Sequence, residues 1–320
     1  FRRVLFRSYR KLKGVKTYSV FFTRGEGGQN EMGPELGKDL GVIRTDETYE
    51  ATKVLGSEIY FLGFPDFGYS KTAKESFAMW GGKDSVLSRL VYLIRVLKPD
   101  VIITNHDTIT TKPFRQHGNH QVVGITAFEA FEKAAEPLYH PEQLRNGVTL
   151  WQPKKLFFRI FQNDSLVNRD SLINIDIQQR DSSGKTIAEI AVASFNHHLS
   201  QGMGKRTVSN MSASFYNHRF TLIRADRKYR LDKNDLFSGI EPVPREIITV
   251  DSSFIMYTPS PVLPSIENFI GKPDRYHATY SSDINIGLVK AYDNTVETFF
   301  RSYKIPYHFI DSTQLARGNL

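Results

Sequence analysis

Two histidines, His117 and His120, lie three positions apart where an apolar, helix-like run begins. Residues at i and i+3 share one face of a helix, so both imidazoles would project to the same side. Neutral imidazole is the commonest metal ligand, and imidazole also serves as a general acid, a general base or an oxyanion donor. A lone H-x-x-H is weak evidence for a metal site, because many such pairs are ordinary surface residues.

The elements around the histidine pair favour a site. An apolar strand-like run, residues 101–104, precedes the pair, with a polar loop over residues 105–114 between them. In an open α/β sheet, ligands bind in the loops that leave the carboxyl ends of the strands. This order of elements would place both histidines among those loops, which together form the mouth of a ligand site.

Strand-like and helix-like runs alternate before the histidines. Residues 15–23, 58–62 and 101–104 read as strands, because they are rich in β-branched and aromatic residues. A helix predicted from a Thr45 or Asp46 cap to Leu55, and another from about residue 84 to 97, separate them. This alternation predicts a Rossmann-like α/β fold, with a mostly parallel sheet flanked by helices.

After the histidines, the helix continues to about residue 135. Strands are predicted at 155–161 and 172–177, and a helix at 186–201 with Gly202 as its cap. Two earlier loops carry polar residues that could face a ligand: the glycine-rich loop Arg24–Asn30, and the turn-rich loop that contains Asp66. The glycine-rich loop lacks the Lys-Ser/Thr ending of a phosphate-binding loop.

Composition excludes several classes of protein and site. The chain has no cysteine, so any zinc here must be bound by His, Asp or Glu. The chain contains no run of eighteen apolar residues, so no membrane-spanning helix is predicted. The net charge is +8, but the basic residues are spread apart from an excess in residues 2–16, which favours a solvated surface over nucleic-acid binding. The absence of a G-x-S-x-G motif disfavours a serine hydrolase.

The amino-acid composition of the chain changes near its carboxyl end. Six prolines between residues 237 and 279 predict a linker or an irregular segment. A strand at 284–289, a helix at 295–303 and a strand at 307–310 then form one β-α-β unit. A single such unit cannot bury both faces of its sheet, so we expect it to be the start of a second α/β domain.

Taken together, the motifs resemble the PIG-L (LmbE-like) deacetylase family, in its larger bacterial multidomain form. The resemblance covers about residues 9–240, and the order of the motifs is specific although each motif alone is not. The motifs are Thr23–Asn30, Gly33–Gly37, Gly41–Thr45, Asp66–Thr72, Lys98–Ile103, His117–His120, Trp151–Lys154 and His198–Gly202.

This resemblance implies a zinc-dependent N-deacetylase that acts on N-acetylglucosamine-type small molecules. His120 would correspond to the family's histidine ligand of zinc, and His117 to the histidine that stabilises the oxyanion or protonates the leaving amine. The positions near the pocket, which we assign to substrate binding, are Arg24, Glu26, Arg44, Glu47 and Asp66.

One departure from the family pattern concerns the metal. The family's His-Pro-Asp-Asp motif supplies two further zinc ligands and the likely general base, and it is expected at or before residue 1. The chain opens abruptly on Phe1 without that motif, so we expect a fragment truncated at both ends and inactive by itself. The expected domains are a deacetylase domain at 9–240, a linker at 241–280 and the start of a glutamine-amidotransferase-like domain at 281–320.

An alternative function remains open at this stage. The chain could be a non-catalytic carbohydrate-binding or scaffold module whose α/β domain has lost its chemistry. The resemblance favours an exported protein, with a cytoplasmic one as the alternative. The sequence leaves the oligomeric state and the identity of the substrate open.

Overall fold

The computed structural model describes residues 14–106, 116–160, 172–210, 219–225, 235–241, 243, 248, 250, 286–289, 295–302, 305–311 and 313. The chain forms two compact units, Phe1–Ile266 and Glu267–Leu320. The basic residues 2–13 and most of the proline-rich stretch lie outside the described residues. No helix in the described part is long and apolar enough to cross a membrane.

The first unit alternates strands and helices up to its fourth strand. Its strands are β1 (Tyr18–Phe21), β2 (Glu58–Phe61), β3 (Val101–Thr104), β4 (Lys155–Ile160), β5 (Leu172–Asn174) and β6 (Arg219–Ala225). Its α-helices are α1 (Lys38–Leu55), α2 (Ala73–Met79), α3 (Lys83–Leu97), α4 (Gly118–Lys133) and α5 (Ile187–Phe195).

The strands of this unit form two sheets. β1 pairs with β2 in parallel, and a four-stranded sheet has the order β3-β4-β6-β5. β3 and β4 are parallel, but β6 runs antiparallel to both β4 and β5. The fold is therefore mixed α/β, and the expectation of a mostly parallel sheet was wrong for its later strands. No helix lies between β4 and β5 in the described residues, and antiparallel pairing needs no helical crossover.

The apolar core lies between the strands and α3. The apolar residues of α3 are buried as core, including Val86, Leu90 and Val91. Val20 of β1 and Ile102 of β3 both pack against the same cluster as this helix. The two sheets therefore share one supporting helix layer.

Two helix boundaries differ from the prediction. α1 begins at Lys38, seven residues before the predicted cap, and Thr45 lies buried inside it with its hydroxyl donating to the carbonyl of Gly41 at 2.6 Å. The hydroxyl that suggested a cap is thus satisfied within the helix. α5 ends at Phe195, and a separate 3₁₀ turn, Leu199–Gln201, carries the chain to Gly202.

The glycine cap predicted at Gly202 is present. Gly56 ends α1 and Gly202 ends the 3₁₀ turn, both in the left-handed conformation. At the start of α5, Thr186 and Glu189 form a reciprocal capping box. Helix α2 and strand β6 were not predicted.

The second unit contains a β-α-β motif among its described residues. β7 (Gly287–Val289) pairs in parallel with β8 (His308–Ile310), and α6 (Thr295–Ser302) lies between them in sequence. These elements match the predicted order. Whether they begin a further domain remains a prediction.

Candidate active site

The loops that leave the carboxyl ends of the first three strands pack against one another. A Cβ atom on Gly27, in the loop after β1, would collide with the backbone nitrogen of Gly68, in the loop after β2. A Cβ atom on Gly118, the first residue of α4, would collide with the carbonyl oxygen of Thr72. Only glycine permits such close backbone contact, so these two positions join the three loops into one mouth.

The two histidines of the H-x-x-H motif lie at this mouth. His117 is the extended residue immediately before α4, and His120 lies in the first turn of that helix. Their ring centroids are 3.8 Å apart with the planes tilted by 38°. Both side chains are partly exposed. The structure thus brings together the two imidazoles on which the sequence interpretation rests.

A third imidazole, which was not predicted, joins the pair. His106 follows β3 directly, is buried, and stacks on His120 with ring centroids 4.2 Å apart. Its Nδ1 atom lies 3.0 Å from the amide oxygen of Gln116. The position of His106 just beyond the carboxyl end of a strand was the signal that could have identified it.

The residues that flank His120 fix the start of α4. The amide oxygen of Asn119 accepts hydrogen bonds from the hydroxyls of Ser70 (3.2 Å) and Ser76 (2.6 Å). The side chain of Gln121 accepts a hydrogen bond from the backbone N–H of Ala73 at 2.9 Å. These bonds tie the histidine-bearing turn to the loop after β2 and to α2, so they position the imidazoles.

Asp66 supplies a carboxyl group near the histidines. Its Oδ1 atom accepts the backbone N–H of Gly68 at 3.0 Å. Burial raises the pKa of Asp66, and the nearby charge of Glu26 also raises it, while the Gly68 bond, Arg44 and His117 lower it. A carboxyl group whose pKa is raised mainly by burial, beside a histidine and an arginine, is typical of a functional site, although structural ion pairs also shift pKa values.

The side chains of Arg24 and Glu26, in the loop after β1, pack against helix α1 at Gly41. The backbone N–H of Arg24 donates to Glu26 Oε2 at 3.1 Å, and both side chains lie over Gly41. A Cβ atom on Gly41 would come within 3.1 Å of the Glu26 Cβ and 3.4 Å of the Arg24 guanidinium. The absence of a side chain at Gly41 therefore allows this loop to sit close to the helix.

Arg44 and Glu47 hold the surrounding backbone. Arg44 donates to the carbonyls of Gly25 (2.6 Å) and Gln29 (2.8 Å). Glu47 is only 2% exposed and accepts hydrogen bonds from the backbone N–H and the hydroxyl of Ser200. These contacts support a positioning role for both side chains, and direct binding of substrate by either one remains a prediction.

The described residues by themselves do not fit a catalytic zinc ion. Among them, no group of three or more His, Cys, Asp or Glu side chains is arranged to hold a metal. The rings of His106 and His120 stack face to face, with an interplanar angle of 19°. A catalytic zinc usually takes three protein ligands, so further donors would be needed.

Comparison with known proteins links the first part of the chain to a family. Residues 5–131 match the family model described as PIG-L: GlcNAc-PI de-N-acetylase. The matched residues include β1 to β3, His106, His117 and His120.

Solved structures show weaker similarity. An N,N'-diacetylchitobiose deacetylase from Pyrococcus horikoshii is 20% identical over 62% of this chain, with a TM-score of 0.45, and this chain covers 64% of its length. The conserved protein TT1542 from Thermus thermophilus is 20% identical over 63% of this chain and 74% of its own, with a TM-score of 0.41. GalB, the 4-carboxy-2-hydroxymuconate hydratase from Pseudomonas putida, is 17% identical over 72% of this chain and 93% of its own, with a TM-score of 0.45.

The family match covers the whole series of loops that meet at the mouth. It also covers the H-x-x-H motif from which the sequence interpretation started. Residues 5–131 of this chain therefore match the PIG-L family model, as the ordered motifs predicted.

Proposed function

We propose that this chain forms the substrate-facing part of a zinc-dependent N-deacetylase that hydrolyses the acetamide group of N-acetylglucosamine-type molecules. The observation that carries the proposal is the contact between the His117 and His120 rings at the carboxyl ends of the strands. Both residues fall within the match to a family described as a de-N-acetylase. Amide hydrolysis needs proton donors and acceptors at such a mouth.

His117 is the proposed catalytic residue. In amide hydrolysis, water adds to the acetyl carbon and the C–N bond then breaks, which releases acetate and an amine that has gained a proton. A protonated His117 would donate a hydrogen bond to the tetrahedral oxyanion or a proton to the leaving amine. One such donor is typically worth about 3 kcal/mol of transition-state stabilisation.

The loops around His117 would bind the sugar. The carboxylates of Asp66 and Glu26 can accept hydrogen bonds from sugar hydroxyls, and the guanidinium of Arg24 can donate to them. Arg44 and Glu47 would act through the loop backbone that they hold. This division separates residues that touch substrate from residues that keep the mouth in shape.

Zinc is proposed as the cofactor, with His120 as one ligand and the other ligands from a segment ahead of Phe1. The test is metal analysis of residues 1–320 beside a version extended upstream. Stoichiometric zinc in the extended version, with little in residues 1–320, is the expected result. Zinc in neither version would instead favour the non-catalytic carbohydrate-binding or scaffold alternative, and tight zinc in residues 1–320 would contradict the proposed ligand set.

The activity test measures acetate release from a panel of N-acetylglucosamine glycosides. We expect activity in the extended version and none in residues 1–320. In the extended version, His117→Ala and His120→Ala should each lower kcat/KM at least about a hundredfold. His140→Ala is the matched control, since His140 contacts Asp84 and Glu142 away from the mouth. Full activity of His120→Ala after chelation would overturn the proposal.

The proposed domain division follows the sequence prediction. Residues 9–240 would form the deacetylase domain, 241–280 a linker, and 281–320 the start of a glutamine-amidotransferase-like domain. The match to the PIG-L family supports the first of these over residues 5–131.

A further inference from the structure

Tyr69 presents an exposed aromatic ring beside the histidine pair. It lies in the loop between β2 and α2, three residues after Asp66, and it is 67% exposed. The centroid of its ring is 5.8 Å from that of the His117 ring, and the two planes are tilted by 44°. The tyrosine ring therefore contacts His117 at the mouth without being covered by it.

The backbone on both sides of Tyr69 is held in place. Before it, the N–H of Gly68 donates to Asp66 Oδ1 at 3.0 Å. After it, the carbonyl of Ser70 accepts the N–H of Gly118 at 2.7 Å, and Ser70 is only 2% exposed. Gly118 is the first residue of α4, the helix that also carries His120. These buried contacts fix the position of the Tyr69 backbone relative to the histidines.

An exposed aromatic ring on an ordered backbone is well suited to binding a ligand. Tyrosine buries a large apolar area when a ligand covers it, and it has only two side-chain torsions to immobilise. Because the backbone at Tyr69 is already ordered, a ligand that covers the ring pays little further entropy for fixing the loop. The exposure of Tyr69 thus leaves a contact area that is free and preorganised.

The polar groups around Tyr69 indicate the kind of ligand. Asp66 lies on the same loop, and the loop after β1 packs against it, since a Cβ atom on Gly27 would lie 2.8 Å from Asp66 Oδ1. That second loop also carries Arg24 and Glu26. The mouth therefore combines donors and acceptors of hydrogen bonds with one open aromatic face.

A pyranose ring has surfaces that match this combination. Its hydroxyl groups lie around the rim and can bond to carboxylates and to a guanidinium. Its faces carry C–H groups with a small positive charge, which pack on the negative face of an aromatic ring. A purely apolar ligand would leave the polar groups without partners, and an acyclic polar ligand would leave the face of Tyr69 uncovered.

We propose that Tyr69 is a substrate-binding residue that packs against the C–H face of the pyranose ring bearing the acetamide group. This inference rests on the proposed function, because that function places the acetamide at His117. The rings of Tyr69 and His117 are close enough for one sugar to touch both. Tyr69 would then favour acetamides carried on a sugar ring over acyclic acetamides.

The kinetic test measures acetate release from methyl N-acetylglucosaminide by the version extended upstream. Tyr69→Ala should raise KM at least about fivefold and change kcat less than about twofold, because it removes a contact made equally in the ground state and the transition state. Tyr69→Phe keeps the aromatic face and should hold KM within about twofold of the natural value. A merely structural role for Tyr69 would not produce this separation of KM from kcat.

Binding of the deacetylated product, methyl glucosaminide, separates this inference from the proposed function. Its Kd, measured by calorimetry, should rise at least about fivefold in Tyr69→Ala and stay within about twofold in Tyr69→Phe, whether or not acetate is released. Leu138→Ala is the matched control. Leu138 is 91% exposed and follows the carboxyl end of α4, the opposite end from His117, so its removal should change neither KM nor Kd.

Several results would overturn the role given to Tyr69. Equal weakening by Tyr69→Phe and Tyr69→Ala would assign the binding to the hydroxyl and not to the ring face. A fall in kcat with unchanged KM would make Tyr69 a support for His117. Unchanged KM and Kd in Tyr69→Ala, beside normal acetate release, would remove this inference and leave the deacetylase proposal standing. Product binding that depends on the Tyr69 ring, without acetate release, would do the reverse.

Discussion

At the scale of single residues, sequence reasoning identified the histidine pair but not its third member. His117 and His120 belong to one short sequence motif, whereas His106 lies outside that motif and contacts His120 only in the folded chain. The same limit applies to Arg44 and Glu47. The family resemblance assigned both to substrate binding, and the structure shows them bonded to backbone groups up to 153 positions away in sequence. Spacing cannot reveal such partners.

The first prediction concerns the fork of hydrogen bonds made by Arg44. A lysine cannot reproduce a guanidinium that donates to two carbonyls at once. Arg44→Lys should cost about 1–2 kcal/mol of unfolding free energy, and it should speed amide exchange in the loop from Gly25 to Asn30. Exchange mass spectrometry measures the loop directly. Arg206→Lys is the control, because Arg206 is exposed, and equal exchange in both variants would contradict the role given to Arg44.

The second prediction concerns the pH dependence that Glu47 imposes on stability. Burial raises the pKa of Glu47, although two bonds from Ser200 and the charge of Arg44 oppose that shift. Because its pKa is raised, Glu47 binds its proton more tightly in the folded state than in the unfolded state. This preference stabilises the fold below the ordinary pKa of 4.5, and the stabilisation is lost as pH rises through the folded-state pKa. Gln resembles the neutral carboxyl, so the stability of Glu47→Gln relative to the natural chain should increase with pH across that window.

Urea unfolding at several pH values tests this second prediction. The control is Glu50→Gln on the same helix, because the Glu50 carboxylate is solvent-exposed and pairs with Lys53 at 2.6 Å. Its stability relative to the natural chain should vary much less with pH. A decrease in the relative stability of Glu47→Gln as pH rises would show that the carboxylate is stabilised, and not penalised, by its surroundings.

At the scale of elements, the sequence predicted best where periodicity is strong and local. Helix α3 and strand β3 were predicted at almost their observed bounds. The start of α1 was missed because Gly37 precedes it without a side-chain cap, while Thr45 offered a false one. Strand β6 was missed because its antiparallel pairing with β4 depends on residues more than fifty positions apart.

The third prediction concerns the junction between α3 and the end of α4. Arg95 is fully buried, and its guanidinium donates hydrogen bonds to carbonyls at the end of α4 and in the turn that follows it. Its hydrogen-bond acceptors are the backbone oxygens of Lys133, Ala134, Glu136, Tyr139 and His140 and the side-chain oxygen of Gln143. Arg95→Met should therefore cost about 3–5 kcal/mol.

Urea unfolding followed by tryptophan fluorescence measures this loss, since both tryptophans, Trp80 and Trp151, lie in the first unit. Arg89→Met is the matched control on the same helix. Arg89 donates one hydrogen bond, to the carbonyl of Leu62 at 2.8 Å, and lies over the Phe64 ring. Its loss should cost about 1 kcal/mol. Similar losses in the two variants would contradict the capping role of Arg95.

At the scale of the whole molecule, alternation of strands and helices was enough to predict that the loops carrying the candidate site residues would meet. The loops after β1, β2 and β3 do meet, as the rule for open α/β sheets requires. The division of the strands into two sheets could not be predicted. Edge pairing is a property of the assembled sheets and not of any single run of residues.

The fourth prediction concerns the net charge of +8. Several lysines of the first unit lie within 3.0 Å of a carboxylate, in the pairs Lys16–Glu58, Lys53–Glu50, Lys83–Glu129 and Lys133–Glu136. Phosphate binding would compete with these pairs, so duplex DNA should bind no tighter than about 1 µM at physiological salt. Fluorescence anisotropy at two salt concentrations measures this. Tighter binding that falls steeply with salt would contradict this prediction. Neutralising Arg7, Arg10 and Lys11 together would then show whether the basic residues near the start of the chain bind the DNA. In that case the excess positive charge has a partner that its spread along the sequence does not predict.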